Sequence, residues 1–175
     1  AQPRGDIFIV LHQMGNHGPA YFKRYPPAFR RFLPECTKNE LRECSQQEII
    51  NAYDNAILYT DHLLGEALAL LKQREDRFDV GLIYASDHGE SLGELGIYLH
   101  GFPYRIAPRE QTAVPMIFWG SPGFLRRQRA RGACRLARRD RPRSHDYLFH
   151  SVLGMYGVRT SAYVADLDLL QSCRS

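Results

Sequence analysis

Phe78-Asp79-Val80-Gly81-Leu82-Ile83-Tyr84-Ala85-Ser86-Asp87-His88-Gly89-Glu90-Ser91 is the stretch whose reading decides the fold. Its first eight residues form a short, largely apolar run, the pattern of a buried strand. The run stops at a carboxylate, an imidazole and a glycine. Asp87 and His88 are an oxygen and a nitrogen ligand of the kind zinc takes. Gly89 lets the backbone turn away tightly. Glu90 and Ser91 stand where they could hydrogen-bond the ligands from behind. The same residues also admit a structural reading, with Asp87 capping a following helix and His88 at the surface. Spacing alone does not choose between the two.

Working outward, two more segments have strand character. Asp6–Leu11 is a continuous apolar run, and Val114–Trp119 is another, with Pro115 near its start, where proline is tolerated. The first leads into the glycine loop Gln13-Met14-Gly15-Asn16-His17-Gly18-Pro19. The prolines of Tyr25-Pro26-Pro27 disfavour helix there. Ser45-Gln46-Gln47-Glu48 is a capping-box pattern. It predicts a helix to about Arg74, with Ile49, Tyr53, Ile57, Leu64, Leu68 and Leu71 along one face. His145–Tyr156 predicts a last amphipathic helix ending near Gly157. Arg126–Arg143 has no clear period and reads as a loop with some helix.

Strands alternating with helices predict an α/β fold with a mostly parallel sheet flanked by helices. Sites in such sheets form at the carboxyl ends of strands. That rule puts His17 at the same edge as Asp87 and His88. His100, twelve residues after His88, follows a second glycine-rich turn. Three histidines and an aspartate converging there predict a metal and phosphate site. His12, His62, His145 and His150 are weaker candidates.

The 175 residues suffice for one domain with a core, without an internal repeat or dividing linker. The formal net charge of +4 is unevenly spread, because nine arginines lie between Arg126 and Arg143 against Asp140 alone. That run could bind anionic lipid headgroups, or be a solvated loop. It lacks interleaved aromatics, so nucleic acid is not an expected partner. No glycine-rich nucleotide loop, P-loop or G-x-S-x-G is visible. No apolar run is long enough to span a membrane, and the opening Ala1-Gln2-Pro3-Arg4 is no signal peptide. The start is therefore expected to have been removed, or the chain to begin inside a larger protein. Four cysteines allow three pairings, of which Cys36–Cys44 with Cys134–Cys173 is the simplest. Two disulfides would suit an oxidising compartment; buried unpaired thiols are the alternative.

Ser86-Asp87-His88-Gly89-Glu90-Ser91-Leu92-Gly93-Glu94 followed by Gly96-Ile97-Tyr98-Leu99-His100-Gly101 resembles the lipid A phosphoethanolamine transferases of the polymyxin-resistance type. These belong to the alkaline phosphatase and sulfatase superfamily. Val10-Leu11-His12 with Gly15-Asn16-His17-Gly18-Pro19, then Tyr25-Pro26-Pro27 and Tyr53-Asp54-Asn55, are similar to further family motifs. Cys36 and Cys44 match the family's C-x7-C disulfide. The resemblance covers nearly the whole chain, least over Arg126–Arg143, and Tyr147 stands where the family often has Asn.

The resemblance implies a periplasmic enzyme anchored in the inner membrane, of which residues 1–175 are the C-terminal portion of the catalytic domain. It implies zinc, with Asp87 and His88 as ligands, and His17 and His100 on phosphate, headgroup or a second zinc ion. A threonine attacks the phosphorus of phosphatidylethanolamine, holds the phosphoethanolamine covalently and passes it to a lipid A phosphate. That nucleophile, a further acidic ligand and the membrane helices are expected upstream of Ala1. The fragment alone is therefore expected to bind zinc weakly, to transfer nothing, and to carry an unpaired sheet edge. The other readings are a metal-dependent phosphatase, phosphodiesterase or sulfatase of the same superfamily, and a non-catalytic periplasmic module that binds anionic lipid.

Overall fold

The computed structural model describes residues 5–130 and 140–174. Its elements in chain order are α1 (Gln46–Lys72), β1 (Gly81–Ala85), β2 (Ser91–Leu92), β3 (Tyr98–Leu99), α2 (Arg109–Thr112), β4 (Met116–Gly120), α3 (Pro122–Arg127) and α4 (Asp146–Met155), with short 3-10 turns between them. They fall into two compact units. One comprises Ala1–Ile9, Leu71–Ala85 and Ile117–Ser175; the other comprises Val10–Leu70 and Ser86–Met116.

β1 pairs with β4. The Ser121 N–H donates to the Val80 carbonyl (2.9 Å), and the Ser86 N–H donates to the Pro115 carbonyl (3.3 Å). Opposite ends of the two strands meet, so this pair runs antiparallel within the α/β fold. α3 starts where Ser121 caps the Phe124 N–H (3.1 Å) and proline fills the first turn. The Phe124 ring then lies over Gly81 and Gly120. α4 packs on the following segment: its Ser151 hydroxyl accepts from the Leu169 N–H (2.9 Å) and His150 Nδ1 accepts from the Val164 N–H (3.1 Å). His150 is therefore a structural histidine.

The second unit is organised by α1. The predicted capping box forms: Glu48 accepts from the Ser45 N–H and hydroxyl (2.7 Å each), and its own N–H donates to the Ser45 hydroxyl (3.3 Å). These bonds hold the Glu48 carboxyl below its usual range. The buried face differs from the expected one. Ile49, Asn51, Ala52, Asn55, Ala56 and Thr60 are buried, while Ile57 is exposed. Small residues let the 31–35 loop approach the helix closely. Asn55 satisfies that loop, accepting from the Arg31 and Phe32 N–H groups (2.8 and 2.9 Å) and donating to the Phe32 carbonyl (3.0 Å). Cys36 and Cys44 are disulfide-bonded. Cys36 joins Tyr21, Leu41, Ile49, Ala52 and Leu92 in the core. The second expected bridge involves Cys134, which lies outside the described residues, as does most of the arginine-rich run; Cys173 is buried and is not a free thiol.

The Asp6–Leu11 run is not a buried strand. Ile7 to Leu11 are 44–74% exposed, and among the described residues no ladder includes them. An apolar run becomes a buried strand only when neighbours take its backbone groups and cover its faces. The Phe78–Ala85 run is strand from Gly81 on and only half-buried, for the same reason. No described helix is long and apolar enough to cross a membrane.

Candidate metal centre

Three loops of the second unit meet at one point. His17 comes from the loop before the first 3-10 turn, His88 from the turn after β1, and His100 from the residue after β3. One ligating atom from each lies within 4.8 Å of the others. Their ring centroids are 3.8 Å (His88–His100), 4.8 Å (His17–His100) and 5.5 Å (His17–His88) apart.

Each ring has its Nδ1 engaged by an oxygen. His17 Nδ1 meets the Gly18 carbonyl at 2.8 Å, His88 Nδ1 meets the Gly89 carbonyl at 2.9 Å, and His100 Nδ1 meets Glu90 Oε1 at 2.5 Å. A carbonyl can only accept, so the first two nitrogens carry the proton; an ionised carboxylate demands the same of the third. In its neutral form each of the three imidazoles thus keeps the lone pair on Nε2, the tautomer a metal ligand needs.

Glu90 is the joint of the site. It is buried, and besides His100 it accepts from the Gly18 N–H (2.7 Å) and the Tyr21 hydroxyl (3.2 Å) on Oε2. One carboxylate so ties the His17 loop to the His100 turn across 72 residues of sequence. Burial first, and the Glu90 charge second, push the Tyr21 hydroxyl far above its ordinary pKa, keeping it a donor. Gly18 is required by space: a Cβ there would sit 2.6 Å from the Leu99 side chain and 2.8 Å from Glu90 Oε2. Gly89 is likewise pressed against the Glu110 carbonyl. Leu99, just before His100, adopts φ 64°, a strained backbone for a branched residue at the site's edge.

Asp87 stands at the rim. Its side chain is 78% exposed and its Oδ2 lies 4.0 Å from His88 Nε2, outside the three-histidine group. Ser91 is fully buried and accepts from the Gln111 amide (3.0 Å), whose Oε1 accepts from the Phe102 N–H (3.3 Å). Ser91 therefore braces the loop after His100 rather than a histidine. Tyr21 and Gln111 were not legible as site residues, since neither belongs to a motif; only their burial beside a charged or polar partner marks them. His62 stacks with Phe29 and Tyr59 on α1, away from the trio.

The donor set fits a metal ion. Two ligands of one tetrahedral zinc are roughly 3.3–3.5 Å apart for bonds of about 2.0–2.1 Å. The Asp87–His88 separation of 4.0 Å and the three-histidine group, whose ligating atoms all lie within 4.8 Å of one another, are both near that spacing.

Fold and site together define an α/β domain of the alkaline phosphatase and sulfatase kind with a candidate metal centre, and the sulfatase family model matches residues 1–158, so the chain belongs to that family. Among curated proteins it is 49% identical over 172 residues to phosphoethanolamine transferase EptA of Salmonella typhimurium, covering 98% of this chain and 31% of that protein. It is 57% identical over 116 residues to phosphatidylethanolamine transferase Mcr-2 of Escherichia coli, covering 66% of this chain and 22% of that protein. The solved lipooligosaccharide phosphoethanolamine transferase A of Neisseria meningitidis is 40% identical. Its soluble domain superposes with a TM-score of 0.90 over 94% of this chain and 50% of that one; the integral membrane protein gives 0.89 over 94% and 31%. The chain thus spans about a third of the length of the curated EptA relative.

Proposed function

We propose that these residues belong to a zinc-dependent phosphoethanolamine transferase that takes the headgroup of phosphatidylethanolamine and passes it to a lipid A phosphate. The observation that carries this reading is the trio of converging imidazoles, each with its Nδ1 at hydrogen-bond distance from an oxygen. Similarity to proteins named for this transfer supports the choice of group.

Asp87 and His88 would hold the ion, and His17 and His100 would contact phosphate, headgroup or a second ion. Zinc at this position supplies Lewis acidity that neutralises charge developing on the phosphoryl oxygens. The chain's own residues do the positioning. Glu90 fixes the His100 tautomer and pins the His17 loop through Gly18. Ser91 and Gln111 hold the loop that follows His100. The nucleophilic threonine, which would carry the phosphoethanolamine covalently between donor and acceptor, belongs in this reading to a part of the fold outside these residues. The 175 residues alone are then the C-terminal portion of a periplasmic catalytic domain, transfer nothing, and reach the inner membrane through further segments.

The test is diacylglycerol release from phosphatidylethanolamine by the full-length protein. Release that disappears in Asp87→Ala, with unchanged folding, is the expected outcome. The second reading, favoured by the breadth of the sulfatase match, is a hydrolase using water as acceptor. Phosphate or sulfate ester hydrolysis without diacylglycerol release, from a folded and zinc-loaded protein, would select it.

A further inference from the structure

His100 leads within two residues into a loop of distinctive composition. From Leu95 to Arg109 the chain has no Asp or Glu and carries two arginines. Phe102, Tyr104 and Ile106 are 44%, 85% and 68% exposed, and Arg105 and Arg109 are exposed beside them. The loop is held in place. The Ile106 and Ala107 N–H groups both donate to the Pro103 carbonyl (2.9 Å each), and its base is tied through Phe102 to the buried Gln111–Ser91 pair. Three large apolar or aromatic side chains thus stand exposed on a hydrogen-bonded loop, in a chain whose relatives are named for a membrane lipid.

We propose that this loop is a bilayer-contact surface, with Phe102, Tyr104 and Ile106 entering the headgroup and upper acyl region and Arg105 and Arg109 meeting lipid phosphates. Tyr and Arg have apolar bodies and polar tips, the chemistry of the membrane interface. An acid-free, cationic segment complements the negative potential of an anionic leaflet. Contact at Phe102 holds His100, two residues away, at headgroup depth. The proposal rests on the phospholipid reading above for its choice of partner, and it adds a contact made by the catalytic portion itself.

The experiment places an environment-sensitive fluorophore on Tyr104→Cys, Ile106→Cys and, as a reference, Leu70→Cys in the full-length protein. Each is presented to vesicles of phosphatidylethanolamine and phosphatidylglycerol whose upper acyl carbons carry bromine. The expected result is a blue shift and loss of emission at positions 104 and 106 but not 70, weakened by Arg105→Glu with Arg109→Glu. Unquenched emission at both loop positions overturns the proposal, whether the label reports water or a covering protein surface. The readout needs no turnover: diacylglycerol release without quenching sinks the docking surface alone, and quenching without release sinks the transferase reading alone.

Discussion

At the residue scale the site turns on Glu90. Three donors from two segments converge on one buried carboxylate, and an amide in its place would present an NH2 group to at least one of them. Glu90→Gln in the full-length protein is therefore expected to weaken zinc binding about 10- to 100-fold while leaving the far-ultraviolet spectrum unchanged; titration calorimetry reads the first and circular dichroism the second. Tyr21 gives an independent check. Its hydroxyl, and that of Tyr25 held by Glu35, are raised by burial first and the nearby carboxylate second. A tyrosine whose folded pKa is raised stabilises the fold fully below its unfolded pKa of about 10, and that contribution is lost as pH rises toward the folded value. Ultraviolet titration should show both ionising only as the protein unfolds, with Tyr21→Phe and Tyr25→Phe each removing one tyrosine from that late step. His17, His88 and His100 stood out in the sequence as histidines beside glycines in loops, and the structure brings these three together. Tyr21 and Gln111 did not stand out, because a lone aromatic or amide acquires its role only from what packs beside it.

At the element scale α1 shows how far pattern reaches. Its start is written in Ser45 and Glu48, a local device that needs no tertiary partner. Its buried face is not, because the loop with Cys36 selects the small-residue stripe Ala52, Asn55 and Ala56 over the larger Ile57. The Cys36–Cys44 bond closes a short loop against this helix. Cys36→Ser with Cys44→Ser should cost about 2–3 kcal/mol by the loop-entropy argument, measurable as a lowered midpoint in urea unfolding. The Asp6–Leu11 run marks the opposite limit. Its composition is that of a strand, but a strand is a relation between segments, and none of the described residues supplies the partner.

At the scale of the whole molecule, the core touches the site through Tyr21, whose hydroxyl donates to Glu90, but does not contain the histidines. Tyr21, Cys36, Leu41, Ile49, Ala52 and Leu92 form a cluster that includes none of the three histidines. Chelation of the full-length protein should therefore abolish transfer and lower the melting temperature by the linkage term alone, without unfolding at 25 °C; loss of the far-ultraviolet signal on chelation would show that the core depends on the metal. The sequence by itself determined the α/β class, the starts of α1 and α4 and the Cys36–Cys44 candidate, because each rests on local periodicity, capping or short spacing. Only the tertiary structure decided that Asp87 lies at the rim while His17, His88 and His100 converge, and that Glu90 joins their loops. Those facts depend on contacts between residues far apart in sequence, such as Gly18 with Glu90 and His17 with His100, and long-range packing is what no local pattern encodes.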